Sequence, residues 1–396
     1  MRNILKDLAM KNSCLSEDRT KQRNKASEKK KYWLRLTNAC NNNCIFCLDN
    51  ELQNGTCRSL NEIRKELNSG IRGGARKLIL SGGEPTMHPE FLEIVSLAKA
   101  TGYNETQVVT NGRMFCYRDF LENAVKNGIT EITFSIHGHT KSLYERQSRV
   151  KGSYSQVLTG LSNALRIKRL IVNIDVVINR INYKYLEDIL RHFIKLGVGE
   201  FDLLQAVPFG NAWENRSKVF YDFKKAMPYL KKAFNLQYEF SDIYIWTNRF
   251  PAQYLEGFEE LIQHPIKLYD EIRGRKYIFK RFIEKNKIMA CYGQRCKYCF
   301  LENFCTDLIE LKEKRIIFAR RHAFCLNSNL EPLARFKSNS KINIVNFLNF
   351  YIKHRYFLKS LRCNNCRCCK ECDGAPIELI RNKGFRILER INKIGN

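Results

Sequence analysis

Thr37-Asn-Ala-Cys40-Asn-Asn-Asn-Cys44-Ile-Phe-Cys47 sets three thiols into eight residues, directly behind the apolar run Tyr32-Trp-Leu-Arg-Leu36. Cys thiolates hold iron–sulfur clusters, and a cubane takes four ligands. A tight trio leaves one iron that must find an exogenous ligand, and that open position is where chemistry happens. A structural zinc site draws on the same residue type, but zinc ribbons favour a CxxC pair with a second pair farther along. The spacing alone leaves both readings open.

Outward from this stretch, strand and helix patterns alternate. Tyr32–Leu36 reads as a strand that delivers the Cys loop at its carboxyl end. A helix is expected from Ser59, with Glu62 three residues on as a capping box and Leu60, Ile63, Leu67 and Ile71 on one face. Lys77–Ser81 is a short apolar strand, and Pro89 opens a helix whose Phe91, Ile94, Val95 and Ala98 share a face. Strands follow at Gln107–Thr110, Glu131–Ile136, Ile171–Ile178 and Phe201–Ala206, with helices carrying Val157, Leu158, Leu161 and Leu165, then Leu186, Ile189, Leu190 and Phe193. Repeated βα units mean parallel strands with right-handed crossovers, which suits an open barrel or a doubly wound sheet. From about Trp213 to Met289 the order lapses into aromatic, basic, helical or irregular stretches. The expected division is therefore a basic, flexible extension over 1–30, an α/β core over 31–212, a connecting region over 213–289 and a Cys-rich module over 290–396.

In a parallel α/β fold, ligands gather beyond the carboxyl ends of the strands. There stand Ser81-Gly-Gly-Glu-Pro85, Thr110-Asn-Gly112 and Ser135-Ile-His137-Gly-His139, with Arg146 and Arg149 in the basic stretch that follows. The spacing of Cys40, Cys44 and Cys47, with the aromatic Phe46 before the last of them, resembles the CxxxCxxC signature of the radical S-adenosylmethionine (radical SAM) superfamily. Gly82, Gly83, Glu84 and Pro85 resemble its GGEP motif. The resemblance implies a partial (β/α)6 TIM-type barrel with a 4Fe-4S cluster on the three cysteines. It implies S-adenosylmethionine bound through amino and carboxylate groups on the open iron, with Glu84 accepting from the ammonium. Thr110, Asn111, Ser135 and Arg149 are the further candidate contacts to that cofactor. His137, Asn173, Asn179, Gln205, Pro208 and Gly210 are weaker candidates, and a strand-end His is equally an ordinary hydrogen-bonded residue. The implied chemistry is reductive cleavage of S-adenosylmethionine to a 5′-deoxyadenosyl radical that removes hydrogen from an unactivated carbon. No side chain is assigned as a catalytic acid or base.

Sixteen cysteines in a chain without a secretory h-region argue for metal ligation over disulfides. Cys14, Cys57, Cys116 and Cys325 stand isolated and read as small core hydrophobes. The remaining nine form Cys291-x4-Cys296-x2-Cys299-x5-Cys305 and Cys363-x2-Cys366-x-Cys368-Cys369-x2-Cys372. Both contain CxxC with a further Cys six residues on. This resembles the SPASM and twitch extensions, which help ligate one or two auxiliary 4Fe-4S clusters. The resemblance makes Cys291, Cys296, Cys299, Cys305, Cys363, Cys366 and Cys372 the candidate ligands, with Cys368 and Cys369 unassigned. The chain departs from the full SPASM pattern, since position 308 is Leu where a Cys is expected. Structural zinc remains the alternative.

At 396 residues and 44% hydrophobic, the chain supports a large α/β unit and a smaller one. No run approaches a membrane span, so a cytoplasmic protein without a membrane partner is expected. The net charge of +28 raises nucleic acid as a partner, against the alternative of a compositional bias toward Lys. SPASM-like proteins commonly modify ribosomally made peptides or proteins, which makes peptide maturation the first expectation, with flavodoxin or ferredoxin as electron donor. Cofactor biosynthesis or RNA modification is the alternative within the family. A zinc-knuckle nucleic-acid-binding protein is the rival outside it, and it leaves Ser81–Pro85 unexplained.

Overall fold

The computed structural model describes residues 30–285, 288–289, 291–326, 334–338 and 341–391. The extension expected over 1–30 lies, apart from Lys30, outside them. The chain divides into two compact units, with the division between Asn248 and Arg249.

The first unit is a parallel sheet of seven strands in sequence order: β1 (Lys31–Thr37), β2 (Lys77–Gly82), β3 (Glu105–Thr110), β4 (Glu131–Ser135), β5 (Ile171–Ile178), β6 (Glu200–Gln205) and β7 (Tyr244–Asn248). Each pairs in parallel with its neighbour, so every connection crosses over and all carboxyl ends lie along one rim. Sequential parallel strands joined by helices are the arrangement of the partial barrel expected from the motifs. A seventh strand joins it from the stretch read as irregular. Tyr244-Ile-Trp-Thr-Asn alternates half-buried and buried positions over only five residues, too short a pattern to stand out.

The crossovers are α1 (Leu60–Arg72), α2 (Phe91–Thr101), α3 (Arg118–Asn127), α4 (Lys141–Ser148), α5 (Ser153–Leu165), α6 (Leu186–Lys195) and α7 (Phe223–Glu239). The α1 start forms as its sequence dictates. The Ser59 side chain accepts from the Glu62 amide while the Glu62 carboxylate accepts from the Ser59 amide, satisfying two orphan donors. Pro89 lies two residues before α2 rather than within its first turn. Ile63 and Leu67 of α1, Ile94 and Val95 of α2, Leu121 of α3, Leu161 of α5 and Ile189 of α6 are buried, as are Leu34, Leu78, Val108, Phe134, Ile174 and Phe201 on the strands. A sheet covered by such helices accounts for the apolar, β-branched strands.

The second unit contains α8 (Leu268–Gly274), α9 (Lys276–Lys285), α10 (Glu302–Lys314), α11 (Ile344–His354) and α12 (Ile377–Lys383). Two small antiparallel pairs accompany them, β8 (Ile316–Phe318) with β9 (Arg335–Lys337) and β10 (Phe357–Leu358) with β11 (Ala375–Pro376). Its core is aromatic. Phe304 of α10 meets Phe279 of α9 and both Phe347 and Tyr351 of α11 at centroid separations of 5.2–5.9 Å. Among the described residues no helix is long and apolar enough to cross a membrane.

Candidate functional site

β1 ends at Thr37 and hands the chain to the loop that carries Cys40, Cys44 and Cys47, all half-buried. The loop's carbonyl and amide groups are held by distant residues. The amides of Asn43 and Ile45 donate to the carbonyls of Ser148 (3.0 Å) and Gln147 (2.9 Å) at the end of α4. Asn211, just beyond β6, donates its side-chain amide to Cys44 O (2.9 Å) and Asn43 Oδ1 (3.1 Å) and its backbone amide to Cys47 O (2.8 Å). Arg113 donates to Asn41 O and to Asn42 Oδ1 (3.0 Å). A loop of eleven residues with its backbone tied at so many points has little freedom left to lose when a cofactor arrives.

The glycines of Ser81–Pro85 are needed first for contact with that loop. A Cβ at Gly83 would stand 2.2 Å from Ala39 O, and one at Gly82, whose φ is 139°, would stand 2.5 Å from Thr37 O. The gap is closed by two backbone hydrogen bonds of 2.7 Å, from Gly83 N to Thr37 O and from Glu84 N to Ala39 O. Glu84 is buried. Its Oε1 accepts from Thr86 N (3.1 Å), Thr86 Oγ1 (2.5 Å) and Thr110 Oγ1 (2.7 Å), and its Oε2 accepts from Asn111 N (2.7 Å). Burial pushes its carboxyl above the usual range, while these four donors favour the carboxylate. Glu84 thus ties the ends of β2 and β3 together, and one lone-pair direction on Oε2 is left over for an ammonium.

Asn111 completes the link, its amide donating to Asn41 Oδ1 (2.6 Å). Phe46 is buried with its ring edge-on to His137 at 4.6 Å. His137 lies just past β4 with Nδ1 accepting from Val177 N (3.1 Å), and burial depresses its pKa to about 3, so the ring is neutral and structural. Ser135 closes β4 half-buried on the same rim. Arg149 is exposed, in the left-handed region at φ 57°, and donates to Asn215 Oδ1 (2.6 Å); Asn215 in turn reaches Ile45 O (3.4 Å).

The weaker candidates separate by position. Asn173 bonds Glu131 Oε1 (3.0 Å) at the start of β4, which puts it at the amino ends of the strands, away from the rim. Asn179 is committed to Gln147 Oε1 (2.6 Å), and Gln205 accepts from the Tyr221 hydroxyl (2.7 Å). Gly210 has a loop role instead, since a Cβ there would meet Cys47 O at 2.6 Å. Arg113, Gln147 and Asn211 were missed by sequence reasoning. Only their places three to six residues past a strand end, for Arg113 and Asn211, or on the loop's facing helix, for Gln147, would have flagged them.

The chain's donors suit a cubane here. Burial pushes the Cys40 thiol up to about 11 and raises Cys44 and Cys47 as well, so these are protonated groups awaiting a cation, which deprotonates a coordinating thiol. Each lies within electrostatic reach of another of the trio, and Asn42 N and Gln53 Nε2 point at the sulfurs of Cys40 (3.4 Å) and Cys47 (3.5 Å). Among the described residues no three His, Cys, Asp or Glu side chains are set to share a single metal ion. A cubane binds each thiolate on a different iron and asks for wider spacing. The Tyr144 hydroxyl is buried beside Asn42, in the field of Cys44, Arg113 and Glu84.

This constellation coincides with a family match. Residues 34–193 match the family model described as the Radical SAM superfamily. The segment belongs to that superfamily. Sequence relatives of this chain include proteins named "Probable GTP 3',8-cyclase" from Sulfurisphaera tokodaii, 28% identical over 188 residues (46% of this chain, 59% of the relative), and from Saccharolobus solfataricus, 28% identical over 176 residues (44% and 56%). The chain spans somewhat over half the length of these relatives. Among solved structures, Streptococcus suis SuiB bound to precursor peptide SuiA aligns over 90% of this chain and 74% of its own, at TM-score 0.49 and 13% identity.

In the second unit the chain gathers further thiols in two places. Cys305 on α10 lies within reach of Cys299, Cys291 and Cys296, and burial raises its thiol strongly. Elsewhere a small, partly open pocket is lined by Cys363, Cys366, Cys368, Cys369 and Cys372 together with Cys325. Cys325, read from sequence as an isolated core residue, is therefore part of a thiol cluster. Isolation in sequence misled because the fold returns to it after the whole of α11. Cys57, read likewise, is exposed, its sulfur 3.2 Å from Thr37 Oγ1, because an isolated bridge with Thr37 holds it at the sheet margin.

Proposed function

We propose that this protein is a radical SAM enzyme that cleaves S-adenosylmethionine reductively and abstracts hydrogen from a ribosomally made peptide or protein. The observation that carries the first half is the junction of Gly83 and Glu84 with Thr37 and Ala39, which fastens the three-thiol loop to the ends of β2 and β3. Cys40, Cys44 and Cys47 would hold a 4Fe-4S cluster that, once reduced by an external electron donor, would supply the electron for reductive cleavage of S-adenosylmethionine. The chain's own part is orientation and shielding. Glu84 Oε2 offers the ammonium an acceptor, and Asn111 and Thr110 hold that carboxylate still. Phe46 and the neutral His137 close the loop's inner side against water.

The peptide half rests on the two thiol groups of the second unit, which resemble SPASM-type modules and read as auxiliary 4Fe-4S sites. A nucleotide substrate is the second reading, favoured by the name the sequence relatives carry, although they match less than half of this chain. The test supplies reconstituted protein with S-adenosylmethionine and either a small peptide encoded beside this gene or GTP. The expected result is a mass change in the peptide, in step with 5′-deoxyadenosine formation. GTP turnover with the peptide inert overturns the peptide assignment and promotes the nucleotide.

A further inference from the structure

Six cysteines around one pocket are more than the four that a cubane takes, so the site must select among them. We propose that Cys325 is a ligand of this second auxiliary cluster, completing with Cys363, Cys366 and Cys372 a four-thiolate site that leaves Cys368 and Cys369 outside. The proposal deepens the auxiliary-cluster reading above and rests on it.

Three observations select this set. Cys363, Cys366 and Cys372 come from one turn of chain, and Cys325 alone comes from another segment, so only it brings a ligand from an independent direction. The segment before Cys325 is pinned to the same turn. Arg321 N donates to Asp373 Oδ2 (3.1 Å), next to Cys372, Arg320 N donates to His354 O (2.9 Å), and Ala323 is buried beside Cys325 on the pocket wall. The turn is held from the other side. A Cβ at Gly374, whose φ is 96°, would meet Leu358 O at 2.2 Å, and Cys363 N donates to Ser360 O (3.0 Å). The third observation is mutual proximity across the two segments: Cys363 lies in the field of Cys325 as well as of Cys372 and Cys366 on its own turn.

Cys368 O accepts from Cys372 N (2.9 Å) and Glu371 N (3.2 Å), and Cys369 O accepts from Lys359 Nζ (2.7 Å), which shapes the turn that presents the other three. Phe324, Leu388 and Ile391 add apolar surface to the wall, beside Lys359 and Glu389. On binding, each thiol gives its proton to solvent and its thiolate to iron.

The experiment maps thiol protection in the full-length protein, reconstituted anaerobically with iron and sulfide, then alkylated with N-ethylmaleimide and read by mass spectrometry. Cys325, Cys363, Cys366 and Cys372 are expected unmodified, and Cys368 and Cys369 labelled; chelation of the iron should make all six react. In a background lacking the first cluster (Cys40, Cys44 and Cys47 all to Ala), Cys325→Ala should change the reduced EPR spectrum of the second site, with loss of up to about four irons per chain. Cys325→Ser should keep most of the iron with altered g values, and Cys369→Ala should change neither. Labelling of Cys325 with Cys363, Cys366 and Cys372 still protected would overturn the proposal and leave the auxiliary cluster standing. Labelling of all six in the iron-loaded protein would overturn the cluster reading itself.

Discussion

Gly83 is the residue on which the site's geometry is most sharply tested. Its missing side chain lets β2 come within hydrogen-bonding range of the loop at Ala39, and Gly83→Ala would drive a methyl group into that carbonyl. We expect this variant to fold, since the sheet core lies elsewhere, but to load the first cluster poorly. Iron and sulfide bound in the first site should fall about 10–100-fold in affinity, the cost usual for disturbing groups that orient metal ligands. His137 makes a prediction in pH. Its folded pKa of about 3 lies below the ordinary value near 6.5, so the unfolded chain binds the proton more readily. Its share of stability is complete above pH 6.5 and is lost as pH falls toward 3, at up to about 1.4 kcal/mol per unit. Urea midpoints of cluster-free protein measured across that window should flatten for His137→Gln, and an unchanged slope would show that the ring is not buried neutral.

At the scale of elements, six strand positions could be read from apolar runs, because each strand is a short hydrophobic segment between turn signals, and the Ser59 cap could be read residue by residue. β7 could not, because five alternating residues in an aromatic, basic stretch resemble one side of a helix equally well. The site was legible as motifs but not as mechanics. The sequence offers Gly82, Gly83 and Glu84 as ligand contacts, yet the backbone shows their first partners to be the Cys loop and β3, since hydrogen bonds across 27 and more residues leave no local pattern. Asn211 illustrates the same limit, with partners 167 and 168 residues away. Asn211→Ala frees Cys44 O and Asn43 and should reduce first-cluster occupancy on reconstitution, read as the iron-to-protein ratio. Its thermal stability should change by about 1–3 kcal/mol, the cost of one buried acceptor left unsatisfied. Full occupancy in this variant would show that the loop holds itself without the rim of β6.

At the scale of the molecule, the charge of +28 and the two thiol groups point to different partners. Residues 1–31 carry ten Lys or Arg against four Asp or Glu, enough to attract an acidic leader peptide or a phosphate backbone. If RNA were the substrate, affinity would drop about a thousandfold from low to moderate salt for six or so phosphate contacts. A peptide bound by backbone hydrogen bonds and side-chain pockets would lose far less. We expect the shallow dependence, with removal of residues 1–28 weakening peptide capture and sparing S-adenosylmethionine cleavage. Steeply salt-dependent binding of structured RNA would reverse that choice.

The central claim is that Cys40, Cys44 and Cys47 jointly hold the cluster that cleaves S-adenosylmethionine, and 5′-deoxyadenosine formation measures it directly. Anaerobically reconstituted protein given S-adenosylmethionine and a strong reductant should form 5′-deoxyadenosine, and the variant with all three cysteines replaced by Ala should form none while keeping the iron of the second unit. Undiminished 5′-deoxyadenosine from the triple variant would contradict the assignment.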